Sequence, residues 1–355
     1  MSVISPGADG TERQTPRAGA GPSQWRARVG FVKLLVTGGA GYIGSIVATQ
    51  LLDAGHQLVV LDNLERGHRE AVPPGARLVL ADLRDQAAVA AVASEGFDGV
   101  LHFAALALVG ESVAHPERYY RTNITGTLNL LDAMRAASVP RLVFSSTCAV
   151  YGQPDEVPIA ETAPTRPSNA YGASKLAVDR MISDECLAHG LGAVSLRYFN
   201  VAGASHGLGE DHEPETHLIP NVLRAAQGTL PFVEIFGTDY PTPDGTAIRD
   251  YIHIDDLAAA HLLALDGTRA GEHRIFNLGN GSGFSVREVI ATVKRVTERE
   301  IETREAPRRP GDPPQLVSAS DRIRRELHWT PRKPALAEMV ADAWEFAQAH
   351  PRGYG

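Results

Sequence analysis

From Phe31 to about residue 200, short apolar runs alternate with longer segments in which apolar residues recur every three or four positions. Short apolar runs between turn residues are typical of buried strands, and the longer spacing is typical of amphipathic helices. The predicted strands cover 32–37, 57–62, 77–81, 98–103, 141–147 and 192–198, and the predicted helices cover 42–54, 85–94, 116–137 and 168–189. This alternation predicts an α/β fold, a doubly wound parallel sheet with helices on both faces.

The pattern becomes irregular beyond Asn200. Stretches rich in Gly, Pro, His and acidic residues, such as "GASHGLGEDHEPETH" and "FGTDYPTPDGTAIRDY", separate short periodic pieces. We expect residues 201–355 to form mainly a smaller C-terminal substrate lobe at the carboxyl edge of the sheet, with some segments returning to the sheet. Ligands of open α/β sheets bind at that edge, so the lobe is predicted to close over a ligand.

Residues 1–30 differ in composition from the rest of the chain. They are rich in Gly, Pro, Ala and Arg and lack apolar periodicity, which predicts a disordered N-terminal arm. The arm also lacks the apolar central segment of a secretory signal. Its composition leaves a transit or tag-like role open.

Composition excludes several classes of protein. The 355 residues are 43% hydrophobic with a formal net charge of −8, which gives no basic surface for nucleic acid. No apolar stretch approaches the length of a membrane span. The two cysteines, Cys148 and Cys186, provide neither a disulfide framework nor a zinc spacing, so we expect a cytoplasmic protein that binds small molecules.

A glycine cluster follows the first predicted strand. The stretch "LLVTGGAGYIGS" contains Gly38, Gly39, Gly41 and Gly44 between that strand and an amphipathic helix. Each glycine in a regular element costs about 0.5–1 kcal/mol relative to alanine, so a simple turn does not explain four of them. Between a strand and a helix they allow backbone N–H groups and the helix N-terminus to approach a diphosphate. The cluster therefore predicts a dinucleotide site in a Rossmann-type fold.

An acidic residue supports this interpretation. Asp62 ends the next predicted strand, 18 positions after Gly44, where a dinucleotide fold places the carboxylate for the adenosine ribose. A carboxylate repels a 2′-phosphate, so NAD is favoured over NADP. The alternative is a glycine-rich turn that binds nothing, with Asp62 a solvated strand end.

Three further residues suggest a catalytic group. Tyr171 and Lys175 lie four apart near the start of a predicted helix, hence on one face. A phenol must lose about three units of pKa, or roughly 4 kcal/mol, to act as a base near pH 7. The Lys175 ammonium and an oxidised nicotinamide are expected to lower it together, while Thr147, at the end of the strand "RLVFSST", could hydrogen-bond a substrate oxygen. Each residue alone also fits an ordinary structural role.

In this order the motifs resemble the extended short-chain dehydrogenase/reductase family, and within it the UDP-glucose 4-epimerases. The similarity runs from about Phe31 to the C-terminus and is carried by "TGGAGYIGS", "LDNL", "HFAA", "VGESV", "YYRTNITGT", "FSSTCAVYG", "YGASK", "LRYFNVAGA", "IFGTDYPTPDGTAIRDYIHIDDLA" and "RRPGDPP". The resemblance implies NAD-dependent inversion of C4 of UDP-glucose or UDP-galactose through a 4-keto sugar. UDP-N-acetylglucosamine and UDP-pentoses remain open as substrates. It also implies a homodimer through the helices after Pro116 and Ser168.

The resemblance further implies which residues bind each ligand. Residues 31–200 would bind NAD, through Gly38, Gly41, Tyr42, Ile43, Gly44, Asp62, Asn63, Asp82, Leu83, Phe103, Ala104, Ala105, Asn123, Ser145, Tyr171, Lys175 and Tyr198. Thr147, Tyr171 and Lys175 would be catalytic. The UDP-sugar would contact Thr147, Tyr171, Phe199, Asn200, His217, Leu218, Phe236, Arg249, Arg309, Asp312 and Leu316. Arg249 and Arg309 would hold the diphosphate, for which planar guanidiniums are well suited.

Two positions depart from the family pattern. Ala107 stands where many epimerases have a lysine beside the nicotinamide ribose, and His217 stands where others have an asparagine near the uracil. A metal site from His206, His212 and His217 is conceivable on composition, but loop histidines are more often solvated, so no metal is predicted.

Two other functions are weighed against epimerisation. A 4,6-dehydratase of the same superfamily has an acid pair after the strand-end threonine, where this chain has Cys148 and Ala149. A non-enzymatic NAD sensor usually loses the tyrosine and lysine pair, which is intact here.

Overall fold

The computed structural model describes residues 32–309 and 311–354. The predicted disordered arm, residues 1–30, lies outside the described residues. The strands are β1 Lys33–Thr37, β2 Gln57–Asp62, β3 Arg77–Leu80, β4 Gly99–His102, β5 Arg141–Thr147, β6 Gly192–Tyr198, β7 Asn200–Ala202, β8 Val233–Phe236, β9 Ile248–His253, β10 His273–Leu278, β11 Gly283–Ser285, β12 Thr303–Ala306, β13 Gln315–Leu316 and β14 Pro351–Tyr354.

The α-helices lie mostly between these strands. They are α1 Tyr42–Asp53, α2 Gln86–Ala93, α3 Val109–Ala114, α4 Pro116–Tyr119, α5 Gly126–Ala136, α6 Ala170–His189, α7 Leu218–Ala226, α8 Ile254–Asp266, α9 Val286–Thr297, α10 Asp321–Leu327 and α11 Leu336–Ala349. A π-helical turn, Tyr120–Thr125, joins α4 to α5, so the long helix predicted for 116–137 contains a local change of pitch. No helix among the described residues is long and apolar enough to cross a membrane.

One parallel sheet of seven strands organises the fold, in the order β10-β6-β5-β4-β1-β2-β3. The predicted α/β class with a doubly wound parallel sheet is confirmed. The strand order reverses between β1 and β4, because β2 and β3 extend one way and β5 and β6 the other. A reversal of this kind opens a crevice at the carboxyl ends of the strands, which is where the candidate residues lie.

Side-chain alternation along β1 explains why both faces of the sheet are covered. Leu34 and Val36 contribute to a core that includes residues of α1 and α8, while Leu35 contributes to a second core with residues of α2, α5 and α6. All three side chains are fully buried. Successive side chains of a strand point to opposite faces of the sheet. A continuous apolar run along a strand therefore indicates that helices cover both faces of the sheet.

The chain after residue 200 divides between the sheet and the lobe. Helix α8 packs on α1, and β10 adds the edge strand beside β6. The lobe itself consists of the sheet of β7, β9, β11 and β13, the pair β8 and β12, and helices α7, α9 and α11 around a separate core.

Candidate active site

A single cleft of about 1460 Å³ runs along the carboxyl edge of the large sheet and under the lobe. One end is lined by the glycine loop and the ends of β2 and β4. The middle is lined by the end of β5 and the start of α6, and the far end by residues of the lobe. Every residue that the family resemblance assigns to NAD or to the UDP-sugar lines this cleft except Asn123.

The glycine loop leaves its backbone accessible. Gly38 has φ of +73°, and a Cβ there would collide with the backbone of Ala104. A Cβ at Gly44 would collide with the carbonyl oxygen of Gly38. Helix α1 begins at this loop with no side-chain cap and no acidic residue in its first turn. The free N–H groups of the first turn therefore fit the diphosphate of a dinucleotide.

Asp62 is fixed where β2 ends. Its Oδ2 accepts a hydrogen bond from Ala40 N at 3.0 Å and its Oδ1 accepts one from Leu64 N at 2.9 Å. Burial raises the pKa of this carboxyl, and the backbone donors oppose the rise. Asn63 follows and donates to Asp82 Oδ2 at 2.8 Å, so three predicted adenosine contacts form one connected wall.

Tyr171 and Thr147 meet in the middle of the cleft. Asn169 caps α6, with its Oδ1 accepting from Gly172 N at 2.9 Å, and this cap sets Tyr171 in the first turn. Thr147 ends β5, its Oγ1 accepts from Ala149 N at 3.1 Å, and its hydroxyl lies next to the Tyr171 phenol. Burial raises the pKa of Tyr171 to about 12, although the nearby Thr147 hydroxyl opposes the rise.

The Lys175 amine is hydrogen-bonded to the strand that ends beside the cleft. Its Nζ donates to the carbonyl oxygen of Ser145 at 2.7 Å and lies 4.8 Å from the centre of the Phe144 ring. The side chain is 3% exposed, and burial lowers the pKa of its amine to about 7. The Lys175 amine is therefore directed to the end of β5, and its joint role with an oxidised nicotinamide in lowering the Tyr171 pKa stays a prediction.

Asn123 lies elsewhere than expected. Its Nδ2 donates to Leu106 O at 3.0 Å and to Ser174 Oγ at 2.9 Å, while its Oδ1 accepts from Leu106 N at 2.9 Å. The side chain is buried, within the π-helical turn. With its amide satisfied on both sides, Asn123 ties the loop after β4 to α6 and does not contact the cleft.

The lobe places two arginines in the cleft. Arg249, on β9, forms an ion pair with Asp312, and Arg309 lies with its guanidinium 4.1 Å from the centre of the Phe236 ring. Leu316 is half-buried on β13 beside Arg249 and packs against the small core around Tyr151. These partners hold the arginines at the cleft.

The three histidines of the loop after β7 separate into two groups. His206 Nε2 lies 3.3 Å from Asp53 Oδ2 and takes no part in the site. His212 and His217 lie together with Glu210 and Glu215. His217 contacts Glu210, and that carboxylate raises the pKa of the imidazole to about 9.

Sequence reasoning missed a buried ion pair behind the catalytic helix. Asp179 Oδ2 accepts from Arg197 Nη2 at 2.8 Å and from Ser146 Oγ at 3.2 Å, and both charged side chains are at most 5% exposed. The carboxylate opposes the fall in the Lys175 pKa. The sequence carried a hint, because Asp179 lies four residues after Lys175 on the same helix.

The comparisons with known proteins agree with this geometry. Residues 34–279 match the NAD dependent epimerase/dehydratase family. The UDP-glucose 4-epimerase of Streptomyces lividans is 57% identical over 324 residues, which is 91% of this chain and 98% of that one.

Two solved structures extend the comparison. The UDP-glucose 4-epimerase of Brucella ovis in complex with NAD matches with a TM-score of 0.84 and 43% identity over 88% of this chain and 97% of that one. The enzyme of Bifidobacterium longum in complex with NAD⁺ and UDP matches with a TM-score of 0.86 and 37% identity over 91% and 100%.

The chain belongs to the NAD-dependent epimerase/dehydratase family. The similarity to the UDP-glucose 4-epimerases extends over nearly the whole of both chains, which confirms the family predicted from the sequence. It also confirms that the chain is an NAD-dependent epimerase.

Proposed function

We propose that the protein inverts C4 of UDP-glucose and UDP-galactose. The observation that carries the proposal is the pair of neighbouring hydroxyl groups of Thr147 and Tyr171. It lies in the middle of the cleft, between the glycine loop and the arginines of the lobe. A UDP-sugar held by the lobe would present its sugar to that pair.

The chain's own groups would divide the proton transfer between them. Tyr171, as phenolate, takes the proton of the 4-hydroxyl group as C4 is oxidised and returns it when the alcohol forms again. Thr147 hydrogen-bonds the substrate oxygen and keeps it beside the phenol. The glycine loop and Asp62 would hold NAD, which would supply a reversible hydride acceptor beside C4, and the 4-keto sugar would turn within the cleft so that its opposite face is reduced. The net redox change is zero, so the cofactor can remain bound throughout.

The lobe would hold the nucleotide. Arg249 and Arg309 each offer a planar set of donors to the diphosphate, and Asp312 would turn from Arg249 to the uridine ribose. Phe199, Asn200, Leu218 and Phe236 would surround the uridine, and His217 would face the uracil. In this proposal residues 31–200 bind NAD, and residues 201–355 mainly bind the sugar nucleotide.

An NMR assay of products with a panel of UDP-sugars tests the proposal. We expect interconversion of UDP-glucose and UDP-galactose, with UDP-N-acetylglucosamine and a UDP-pentose as the other candidate substrates. Formation of a 4-keto-6-deoxy sugar would instead reveal a dehydratase. Cys148 and Ala149 disfavour that outcome, because neither offers a carboxyl group and burial raises the pKa of the Cys148 thiol to about 12.

We also propose that the protein is a homodimer. Val113, Tyr120, Leu128 and Leu187 are exposed by 43–81% on α3, the π-helical turn, α5 and α6, which pack together. An exposed apolar surface of this kind is typical of an interface. Leu187→Glu should yield monomers in sedimentation velocity, whereas Leu80→Glu, at a 61% exposed position on β3, should not. A parent chain that sediments as a monomer would contradict the proposal.

Cytoplasmic location remains part of the proposal. Cys148 and Cys186 are both free, as expected of a protein from a reducing compartment. Fractionation of the producing cells, with detection of the chain by antibody, tests this, and recovery outside the cytoplasm would contradict it.

A further inference from the structure

Four potential metal ligands lie together in the loop between β7 and α7. They are Glu210, His212, Glu215 and His217, called here the His–Glu cluster. One ligand atom from each lies within 4.8 Å of the others, and all four side chains line the wall of the cleft. The sequence "EDHEPETH" alone does not place them together, because they meet only when the loop folds back.

The two imidazoles face the same carboxylate. His212 Nδ1 lies 3.1 Å from Glu210 Oε1, and His217 Nδ1 contacts the same oxygen. Glu215 approaches from the other side, with Oε2 3.9 Å from His212 Nδ1 and Oε1 3.6 Å from His217 Nδ1. Two nitrogen and two oxygen donors therefore converge on one small volume.

The cluster lacks a fixed cation. The Glu210 and Glu215 side chains are 8% and 2% exposed, and within residues 32–309 and 311–354 no lysine or arginine forms an ion pair with either. His212 Nδ1 is buried without a hydrogen bond of good geometry. Buried charges are normally paired or bound to metals, so two close carboxylates call for a positive charge.

A second group in the same chain provides a contrast. His253, Asp255 and Asp342 are equally close together, but Lys333 Nζ lies 3.0 Å from Asp255 and 2.7 Å from Asp342. A lysine already supplies the cation there. The His–Glu cluster differs, because no lysine or arginine in the described part of the chain forms an ion pair with its glutamates.

We propose that the His–Glu cluster binds one Zn²⁺ ion. Neutral imidazoles would coordinate through Nδ1 and each glutamate through one oxygen, giving the four nitrogen and oxygen ligands that zinc accepts. Two imidazoles disfavour Mg²⁺ and Ca²⁺, which prefer oxygen ligands. The ion would tie residues 210–217 into a rigid wall of the cleft. The proposal assigns no step of the epimerisation to the metal and departs from the sequence expectation of no metal.

Zinc binding by the full chain tests the proposal. The purified protein is stripped with a chelator, desalted and titrated with Zn²⁺ alone by calorimetry, and bound zinc is counted by elemental analysis. We expect one zinc per chain and a higher melting temperature with zinc than without it. Co²⁺ in its place should give the visible absorption of a four-coordinate site.

Variants separate the cluster from other zinc-binding groups. His212→Ala combined with His217→Ala should weaken zinc binding at least about 100-fold, since even groups outside the ligand shell contribute about that much. His206→Ala, in the same loop but paired with Asp53, should bind zinc as the parent does. If the double variant does not fold, Glu210→Gln, which keeps the side-chain shape, replaces it. This variant should likewise bind zinc more weakly than the parent and His206→Ala do. Absence of stoichiometric binding, or equal affinity in the cluster variants, overturns the proposal.

Discussion

Replacing Tyr171 with phenylalanine isolates the proton transfer from the fold. The change removes one hydroxyl group, and with it any hydrogen bond to the neighbouring Thr147 hydroxyl. Thr147 Oγ1 keeps the bond from Ala149 N, and the aromatic ring stays in place. A lost hydrogen bond of this kind costs about 1 kcal/mol or less, so the melting temperature and UDP-sugar affinity should change little.

The expected loss of activity follows from the proposed role of the Tyr171 phenolate as the base that takes the proton of the 4-hydroxyl group. With the pKa of Tyr171 raised to about 12 by burial, the phenolate fraction near pH 7 is about 10⁻⁵. Bringing that pKa to about 7 requires roughly 7 kcal/mol of preference for the phenolate, which the bound ligands and Lys175 must supply. Loss of the positioned base should lower kcat by about 10²–10⁴-fold, or roughly 3–5 kcal/mol in the barrier.

NMR product assays and calorimetry with the UDP-sugar check this prediction on the same preparation. A kcat near that of the parent would refute the mechanism, because Thr147 or a water molecule would then be the base. The pH dependence gives a second check. Parent activity should rise as pH rises through the effective pKa of the phenol, since the deprotonated form takes the proton, and Tyr171→Phe should abolish that rise.

Four further predictions follow from the cleft. Lys175→Met should abolish most activity yet stabilise the NAD-free protein by roughly 2–4 kcal/mol near pH 7 in denaturant titrations. The pKa of Lys175 is about 7 in the folded protein and higher in the unfolded chain, so the free energy of unfolding of the parent should rise between about pH 7 and 10. Over the same range the extra stability of Lys175→Met should disappear. A difference in stability that does not change with pH would contradict this prediction. Gly44→Ala should lower the melting temperature and the NAD content, because its Cβ would collide with the Gly38 carbonyl oxygen. Gly41→Ala should keep the parent melting temperature, because its Cβ would lie 3.5 Å from the same oxygen. An equal fall in melting temperature in both variants would contradict this prediction. Acid release and mass spectrometry should find NAD in the purified protein, and NADP would contradict the role of Asp62. Leu316 lines the cleft beside Arg249, so we expect a tyrosine there to crowd the N-acetyl group of UDP-N-acetylglucosamine, which the smaller leucine would admit for slow conversion. Leu316→Tyr should therefore suppress that conversion while sparing UDP-galactose, a partial effect worth about 1–3 kcal/mol in relative kcat/KM. Equal loss of both activities would mean that Leu316 mainly supports the core.

Local pattern was sufficient for the first half of the chain. The apolar run of β1 and the glycines that follow it predicted a strand, a phosphate-binding turn and a helix, and the structure has these elements at 33–37, 38–41 and 42–53. Likewise, the four-residue spacing of Tyr171 and Lys175 placed both on one helix. Such features are readable because they depend on neighbours within one or two turns of chain.

The tertiary structure decided what depends on distant partners. Lys175 Nζ is directed to the Ser145 carbonyl 30 positions earlier, and Asn123 is turned inward by Leu106 and Ser174. Strand β10 joins the sheet beside β6, although the sequence between them forms much of the lobe. The His–Glu cluster excludes His206 only because the fold of the loop carries that ring to Asp53. Periodicity specifies which face of an element is apolar, but a side chain's polar partner is set by the packing of elements far apart in sequence.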